Sequence, residues 1–442
     1  PWEKAKLLCG THLIAKTIEA KPQSRESTAK QLVHVLTARS EMSGAAPEVE
    51  AQRQGARTQL EKIQSEERRP PSSWWSYLQS LSEEVSSKIF YRAFKAKHKS
   101  ADISSIYKTN NWDEPDKNRP KPINKLVSPS SSTSSQIEVV TKPQEIADEL
   151  MKYYKWLFSP KKSSNRNRFI EKLKQRQLSK ASRDLLEKEV EIEEVEAAIR
   201  SLALGKAPGP DKLGAEFYKE FEYLIKDDLL RLLKESKADG ELPEGVRSGD
   251  IIVLYKKSDA REVRNYRPIT LLNVDYKIMS KILVARLKKV MDDIVSAPQL
   301  GFVPGRNITE ATHLVKLVQA LAEEEDAEGL LVAADWEKAF DRVSWEYLHE
   351  ATKALGFGPR AREWIQMMYN ENAPPVRCVK TNGERSAPFN IYSGVPQGCP
   401  ASPLIFLIVT EALTRLVLED DELLGVEVGG STFKLSQFAD DT

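Results

Sequence analysis

The amino-acid sequence predicts an α+β fold: an antiparallel sheet with packed helices, preceded by a polar, helical N-terminal region. Three observations carry this reading. Apolar residues recur at three- and four-residue steps, as in Ile192, Val195, Ile199 and Leu202, and again in Ile278, Met279, Ile282, Leu283, Leu287, Val290 and Met291; this is the helical period. Short β-rich runs are joined by turns rather than helices, most clearly where Asn382-Gly383 separates Val376–Lys380 from Phe389–Tyr392, a type I′ hairpin signal. Two apolar runs end on carboxylates: Leu330–Ala334 before Asp335, and Phe433–Ala439 before Asp440-Asp441.

The chain has 442 residues, enough for about three domains. Its 40% hydrophobic and 30% charged residues allow a globular core under a heavily charged surface. The net charge of +1 does not by itself require a nucleic-acid partner, but the charge is unevenly spread. Ten Lys/Arg stand against four Asp/Glu from Asp250 to Val290, and five against none from Lys88 to Lys99. Cys9, Cys378 and Cys399 are far apart and form no zinc pattern, which fits a reducing compartment. No apolar run approaches a membrane span, and no signal-peptide pattern opens the chain. Pro1 in place of Met reads as a piece of a longer product.

From Pro1 to Arg69 the sequence is polar and helix-prone, with Leu32, Val33, Val35 and Leu36 as a short apolar face. Pro70-Pro71 breaks it, and Ser72 or Ser73 caps a following helix. Lys88–Lys95 interleaves aromatics and cations. It reads either as an amphipathic helix burying Phe90 and Phe94 or as a nucleic-acid-binding segment. Ser128–Ser135 is a serine-rich linker. A helix is expected over Thr141–Phe158, then a polar link over Lys161–Arg168.

Beyond Leu185, the amphipathic helix of Ile192–Leu202 ends on Gly205-Lys206-Ala207-Pro208-Gly209-Pro210-Asp211, which lacks the Walker spacing and reads as a rigid turn. Ile251–Tyr255 is a strand delivering Lys256-Lys257, and Asn265–Ile269 returns as its partner, a hairpin with cations near its tip. The glycines of Gln299-Leu300-Gly301-Phe302-Val303-Pro304-Gly305-Arg306 suit tight turns, and Arg306 either touches a phosphate or pairs with an acid. Leu330–Ala334 is expected as a buried strand that delivers Asp335 to a cleft, followed by a helix over Val343–Leu355. Ser393–Pro403 is a Gly/Pro loop leading into an apolar helix, Leu404–Leu418. Phe438–Asp441 is a strand end or hairpin tip. Three other Asp-Asp pairs, at 227, 292 and 420, lie in helix-like charged surroundings and read as solvated.

Two strand-end carboxylate sites suggest a divalent metal. Like charges brought together raise each other's pKa unless a cation neutralises them. Few, hard oxygen ligands suit Mg²⁺, and two such ions serve nucleotidyl transfer or nucleic-acid cleavage.

Three motifs in order, Asp335-Trp336-Glu337-Lys338-Ala339-Phe340-Asp341, Ser393-Gly394-Val395-Pro396-Gln397-Gly398-Cys399-Pro400-Ala401-Ser402-Pro403-Leu404 and Phe438-Ala439-Asp440-Asp441, resemble those of reverse transcriptases, in detail those of non-LTR (LINE-type) retrotransposons. The resemblance covers roughly Leu185 to the C-terminus. It implies right-hand polymerase fingers over 185–327 and palm over 328–442, behind a basic region at 1–127 and a linker with helix at 128–184. It implies RNA-directed DNA synthesis with Asp335, Asp440 and Asp441 as catalytic carboxylates. Asp335, Asp440 and the Trp336 carbonyl would ligate two Mg²⁺ ions, Mn²⁺ being the alternative. Arg267 and a lysine of the preceding strand, Lys257 or its neighbour Lys256, would hold the triphosphate of an incoming dNTP. Phe340 would act as a steric gate against a 2′-hydroxyl, or else is a core aromatic. Gln397 and Gly398 would pack on the nascent base pair, and Lys206 and Arg306 would touch the RNA template or DNA primer. A retroelement ribonucleoprotein in nucleus and cytoplasm is the implied setting, with no membrane partner. Because the sequence ends one residue past Asp441, impaired catalysis is expected, and a decayed or domesticated RNA-binding fragment is the alternative.

Overall fold

The computed structural model describes residues 102–108, 139–160 and 166–442, with residues 54, 57 and 58. The helices expected before Arg69 and after Ser72, the Lys88–Lys95 segment and the serine-rich linker lie outside the described residues.

Strand β1 (Ile106–Tyr107) pairs antiparallel with β2 (Val139–Val140), and β2 runs into helix α1 (Pro143–Leu157). Proline is tolerated in the first turn of α1 because its missing N–H has no intrahelical partner there. Ile146, Leu150, Tyr153, Tyr154 and Leu157 form its buried stripe. Helix α2 (Arg166–Lys174) takes in Arg166–Arg168, the end of the expected polar link. Helix α3 (Lys180–Leu186) and helix α4 (Ile192–Arg200) follow, the latter closed by a reciprocal Glu191–Glu194 capping box. The chain continues through α5 (Ala215–Glu220), α6 (Glu222–Asp239) and the single turn α7 (Glu244–Arg247).

The principal sheet is then built around β3 (Gly249–Tyr255). Antiparallel β4 (Tyr266–Leu272) pairs with it along its whole length, from Gly249↔Leu272 to Tyr255↔Tyr266. Helices α8 (Val274–Leu287), α9 (Met291–Ile294), α10 (Ile308–Glu324), α11 (Trp345–Ala354) and α12 (Pro359–Met368) intervene before β5 (Val376–Thr381). β5 lies on the other side of β3 and runs parallel to it, from Gly249↔Arg377 to Ile252↔Lys380. Only a long crossover of this kind allows parallel pairing. The α+β expectation holds, with a mixed sheet rather than a purely antiparallel one.

β5 turns back through Asn382 (φ 51°) and Gly383 (φ 82°) into β6 (Glu384–Arg385), which is the anticipated type I′ turn. β7 (Phe389–Asn390) also pairs with β5. Helix α13 (Ser402–Leu418) is apolar on nearly all sides and accordingly buried. A small hairpin, β8 (Val426–Val428) and β9 (Ser431–Phe433), closes on Gly429-Gly430. One continuous core runs from Ile103 to Ala412, so α1 shares it with elements beyond residue 184. No helix among the described residues is long and apolar enough to cross a membrane.

The expectation of a buried strand at Leu330–Ala334 is corrected. The segment is extended, but Leu330, Leu331 and Val332 are 84%, 67% and 68% exposed. Its ladder is confined to its far end, at Ala334 and Asp335; upstream of that, the segment makes no backbone pairing among the described residues. An apolar run specifies a strand only where neighbours exist to cover it.

Candidate active site

The two acidic corners of the sequence meet on one short ladder. Asp335 and Asp441 are antiparallel bridge partners. Beside them the Ala334 N–H donates to the Thr442 carbonyl (2.7 Å), and the Thr442 N–H donates to that of Ala334 (3.1 Å). Directly opposed residues of such a pair project to the same face. Asp440 is brought in by a reversal: Phe438 and Asp441 exchange backbone hydrogen bonds of 2.9 and 3.2 Å around Ala439-Asp440, with Ala439 at φ 59°. The tip is a tight hairpin, one of the two forms expected for it.

That tip is held from outside by the Gln299–Phe302 segment. Gln299 Oε1 accepts from the Ala439 N–H (2.8 Å) and from the Gly301 N–H (2.9 Å), while its Nε2 donates to the Ala439 carbonyl (3.2 Å). Gln299 also bridges to Gln437, whose side chain accepts from Thr414 Oγ1 and donates to Thr442 Oγ1. A Cβ on Gly301 would lie 2.3 Å from the Ala439 nitrogen, so only glycine fits. Sequence reasoning noted the glycines here but missed Gln299, whose burial becomes visible only in the fold. Arg306 braces the same segment. Its guanidinium donates to the Ser296 and Gln299 carbonyls (2.8 and 2.7 Å) and lies 3.4 Å from Asp292. Of the two roles considered for it, pairing within the protein is the one observed.

A second group gathers beside the first. After Asp335 and the exposed Trp336, the chain bends through Lys338 at φ 56° into a short turn, Phe340–Arg342. The Phe340 ring stacks on Phe406 of α13, centroids 4.7 Å apart at 14°. The Ser393–Pro403 loop runs along this turn: Val395 donates to the Phe340 carbonyl (2.8 Å) and Gly394 to that of Val343 (2.7 Å). The same loop reaches the edge of β4, where the Thr270 N–H donates to the Gln397 carbonyl (2.7 Å). Gly398, at φ 127°, could carry no side chain, since a Cβ would sit 2.3 Å from the Thr270 oxygen. The loop thus ties Phe340, Gln397, Gly398 and the strand of Arg267 into one neighbourhood.

Its centre is Asp341, which the sequence gave no reason to single out. Asp341 is buried, and Gln397 Nε2 donates to both of its carboxylate oxygens (3.2 and 3.3 Å). Burial pushes its carboxyl up to about 6, against the opposing pull of Lys338, the Gln397 amide, Arg267 and Arg342. Lys338 donates to the Tyr266 carbonyl (2.8 Å) and lies over the Tyr153 ring. Burial holds its ammonium below the usual lysine range. Arg267, Lys256 and Lys257 are exposed, the lysines at the tip of the β3–β4 hairpin. Lys206 is exposed in the turn after α4.

Among the described residues no Lys or Arg lies within salt-bridge reach of Asp335, Asp440 or Asp441. Nor do three or more His, Cys, Asp or Glu side chains already converge as a ready metal cage. Mg²⁺ does not need one: one or two carboxylates, with water and substrate phosphates, complete its shell. Adjacent carboxylates without a cationic partner fit that requirement.

Residues 255–442 match the family model described as reverse transcriptase (RNA-dependent DNA polymerase). The chain is 33% identical over 309 residues to an uncharacterized 149 kDa protein of transposon TX1 from Xenopus laevis, covering 68% of this chain and 23% of that protein. It is 31% identical over 228 residues to the RNA-directed DNA polymerase from mobile element jockey of Drosophila melanogaster, covering 50% of this chain and 24% of that one. Against a Pol polyprotein from type-2 retrotransposable element R2DM of the same fly, identity is 25% over 240 residues, covering 54% of this chain and 22% of the relative. The chain therefore spans about a quarter of the length of these relatives. Taken with the three motifs and the ladder that pairs Asp335 with Asp441, these matches place residues 255–442 in the reverse transcriptase family, with relatives named for non-LTR retrotransposons.

Proposed function

We propose that this chain carries the fingers and the catalytic part of the palm of an RNA-directed DNA polymerase. The β3–β4 hairpin would be the fingers and the Asp335/Asp441 ladder the floor of the palm. The observation that carries the reading is the pairing of Asp335 with Asp441 on one ladder.

In this reading Asp335, Asp440 and the Trp336 carbonyl hold Mg²⁺, and Asp441 supports the turn. The chemistry supplied by a bound pair of ions is activation of the primer 3′-hydroxyl and stabilisation of the departing pyrophosphate. The protein's own share is positioning and charge neutralisation. Arg267, with Lys256 or Lys257, receives the triphosphate of the dNTP. Phe340, whose ring stacks on Phe406, would lie under the sugar and clash with a 2′-hydroxyl. Gln397 and Gly398 line the position of the nascent base pair. Lys206 remains available to a template phosphate, whereas Arg306 acts indirectly, by bracing the segment that holds the catalytic turn.

Primer extension on an RNA template by the 442-residue chain, with Mg²⁺ and dNTPs, tests this. Extension should fall about a hundredfold or more in Asp335→Ala, the order expected when a group stabilising transition-state charge is lost. Phe340→Ala should raise ribonucleotide incorporation relative to dNTP. Salt-sensitive RNA binding without any extension, unchanged by Asp335→Asn, would support the non-catalytic RNA-binding reading instead.

A further inference from the structure

Asp341 is an acid in a place where charge is costly. It is 1% exposed, and the cations on its own turn are engaged elsewhere: Arg342 pairs with Glu337 (3.6 Å) and Lys338 donates to the Tyr266 carbonyl (2.8 Å). Burial without a bonded cation disfavours a carboxylate. The side chain bonded to it is that of Gln397, whose Nε2 donates to Oδ1 (3.2 Å) and to Oδ2 (3.3 Å).

The loop that carries Gln397 does not need this contact to stay in place. Its backbone is already fixed from three sides. Gly394 and Val395 donate to the Val343 and Phe340 carbonyls, Trp345 Nε1 donates to the Gly394 carbonyl (2.8 Å), and the Thr270 N–H donates to that of Gln397 itself (2.7 Å). At Gly394, φ 83°, a Cβ would lie 2.7 Å from the Asp341 carbonyl oxygen, so the two backbones are in direct contact. What the backbone leaves undetermined is the half-buried side chain of Gln397, and that is the group Asp341 holds.

A primary amide has a donor end and an acceptor end of nearly equal size, whereas a carboxylate only accepts. An ionised Asp341 therefore draws the nitrogen of Gln397 inward and turns Oε1 away from itself. A protonated Asp341 can donate to Oε1 instead, and the amide is then free to turn over. The charge on Asp341 thus selects whether the outer end of Gln397 is an acceptor or a donor. Lys338 and Arg342 on the same turn and Arg267 on β4 favour the charged form. On the α1 side stand the Tyr153 and Tyr154 phenols, which burial keeps protonated, and α13 contributes the uncharged Phe406.

We propose that Asp341 is a positioning residue that orients the Gln397 amide, so that the loop presents a hydrogen-bond acceptor to the incoming nucleotide. This role rests on the reading above that Gln397 lines the nucleotide site; the fixed orientation of the amide does not.

Two measurements on the 442-residue chain test it. In protein labelled with [¹⁵N]glutamine, the side-chain amide signal that is missing from Q397M reports on the pair directly. It should move with pH around the value of about 6 to which burial raises Asp341, and stay fixed in D341N. A signal that does not respond to pH overturns the proposal, whatever the activity. The second measurement is single-nucleotide primer extension at neutral pH. D341N and Q397M should each raise KM for dNTP about five- to tenfold, as for one lost hydrogen bond, and leave kcat within about twofold. D341N/Q397M should then be no worse than Q397M. D341N should also gain Tm relative to the unmodified chain as pH rises, since it removes a buried charge, whereas a residue that only supported the loop would lose stability and activity together. A full additional loss in D341N/Q397M would mean that Asp341 acts through another group, such as Arg267, and overturns the proposal. An amide signal that titrates but ignores added dNTP, in a chain that extends no primer, overturns the nucleotide-site reading and this role with it.

Discussion

At the residue scale, Asp335 and the Asp440-Asp441 pair stood out in the sequence as the acidic ends of two runs, and the fold pairs Asp335 with Asp441 on one ladder. Asp341, Lys338 and Gln299 did not. Each is an ordinary residue whose meaning comes from what folds over it: the Gln397 amide on Asp341, the Tyr266 carbonyl on Lys338, the Ala439 turn on Gln299. Asp341 carries a pH prediction. Burial raises its carboxyl from 3.8 to about 6 in the folded protein. Below pH 3.8 the group is neutral in both states and costs nothing. Between 3.8 and 6 the unfolded chain releases a proton that the folded protein keeps, so stability falls as pH rises; above 6 the cost is constant, at about 3 kcal/mol. Asp341→Asn removes this titration. Its Tm relative to wild type should climb from pH 4 to 6 and then level off. A constant difference over that range would show that Asp341 ionises in the native state as it does in the unfolded chain.

At the element scale, what the sequence displays depends on how local the cause is. The Asn382-Gly383 turn, the stripe of α1 and the return of Asn265–Ile269 against Ile251–Tyr255 are all set within a few residues, and each is found as expected. Leu330–Ala334 shows the opposite case, because burial of an apolar run is decided by neighbours that its own composition does not name. The Ala439–Asp440 turn lies between these cases. Its tip is local, but its rigidity comes from Gln299 and Gly301, far away in sequence. Gly301→Ala should therefore act at a distance. The added methyl meets backbone rather than a flexible side chain, so the Ala439–Asp440 turn must move. A stability loss of about 1–3 kcal/mol, the usual range for overpacking, should accompany a fall in kcat for primer extension with little change in KM for dNTP. Loss of stability with kcat unchanged would mean that the turn does not govern the position of Asp440.

At the scale of the whole molecule, long-range order was the least legible part: nothing in β3 or β5 announces that they pair in parallel across five helices. The continuity of the core predicts that the described region unfolds as a unit, and one buried ion pair makes this testable. Arg415 and Glu411, one turn apart on α13, are 4% and 1% exposed at their side chains and 2.8 Å apart. Arg415 also donates to the Leu173 carbonyl on α2 (3.2 Å), to Arg176 just beyond it (3.1 Å) and to Ile294 on α9 (2.9 Å). Glu411 accepts from the N–H and hydroxyl of Ser296 (3.1 and 2.5 Å). Segments before, within and after the proposed fingers thus meet at one charged knot. Removing one partner strands the other without water, so Arg415→Ala should cost about 3–5 kcal/mol. The paired change Glu411→Leu with Arg415→Met replaces both charges by apolar volume and should cost clearly less, although the Ser296, Leu173 and Ile294 groups lose partners. In urea unfolding, both variants should retain a single transition seen alike by tryptophan fluorescence and circular dichroism. If Arg415→Ala instead separated the two probes, α13 and its neighbours would be an independent unit, and the Ala439–Asp440 turn, next to the Gln437 that Thr414 of that helix anchors, would stand or fall with it.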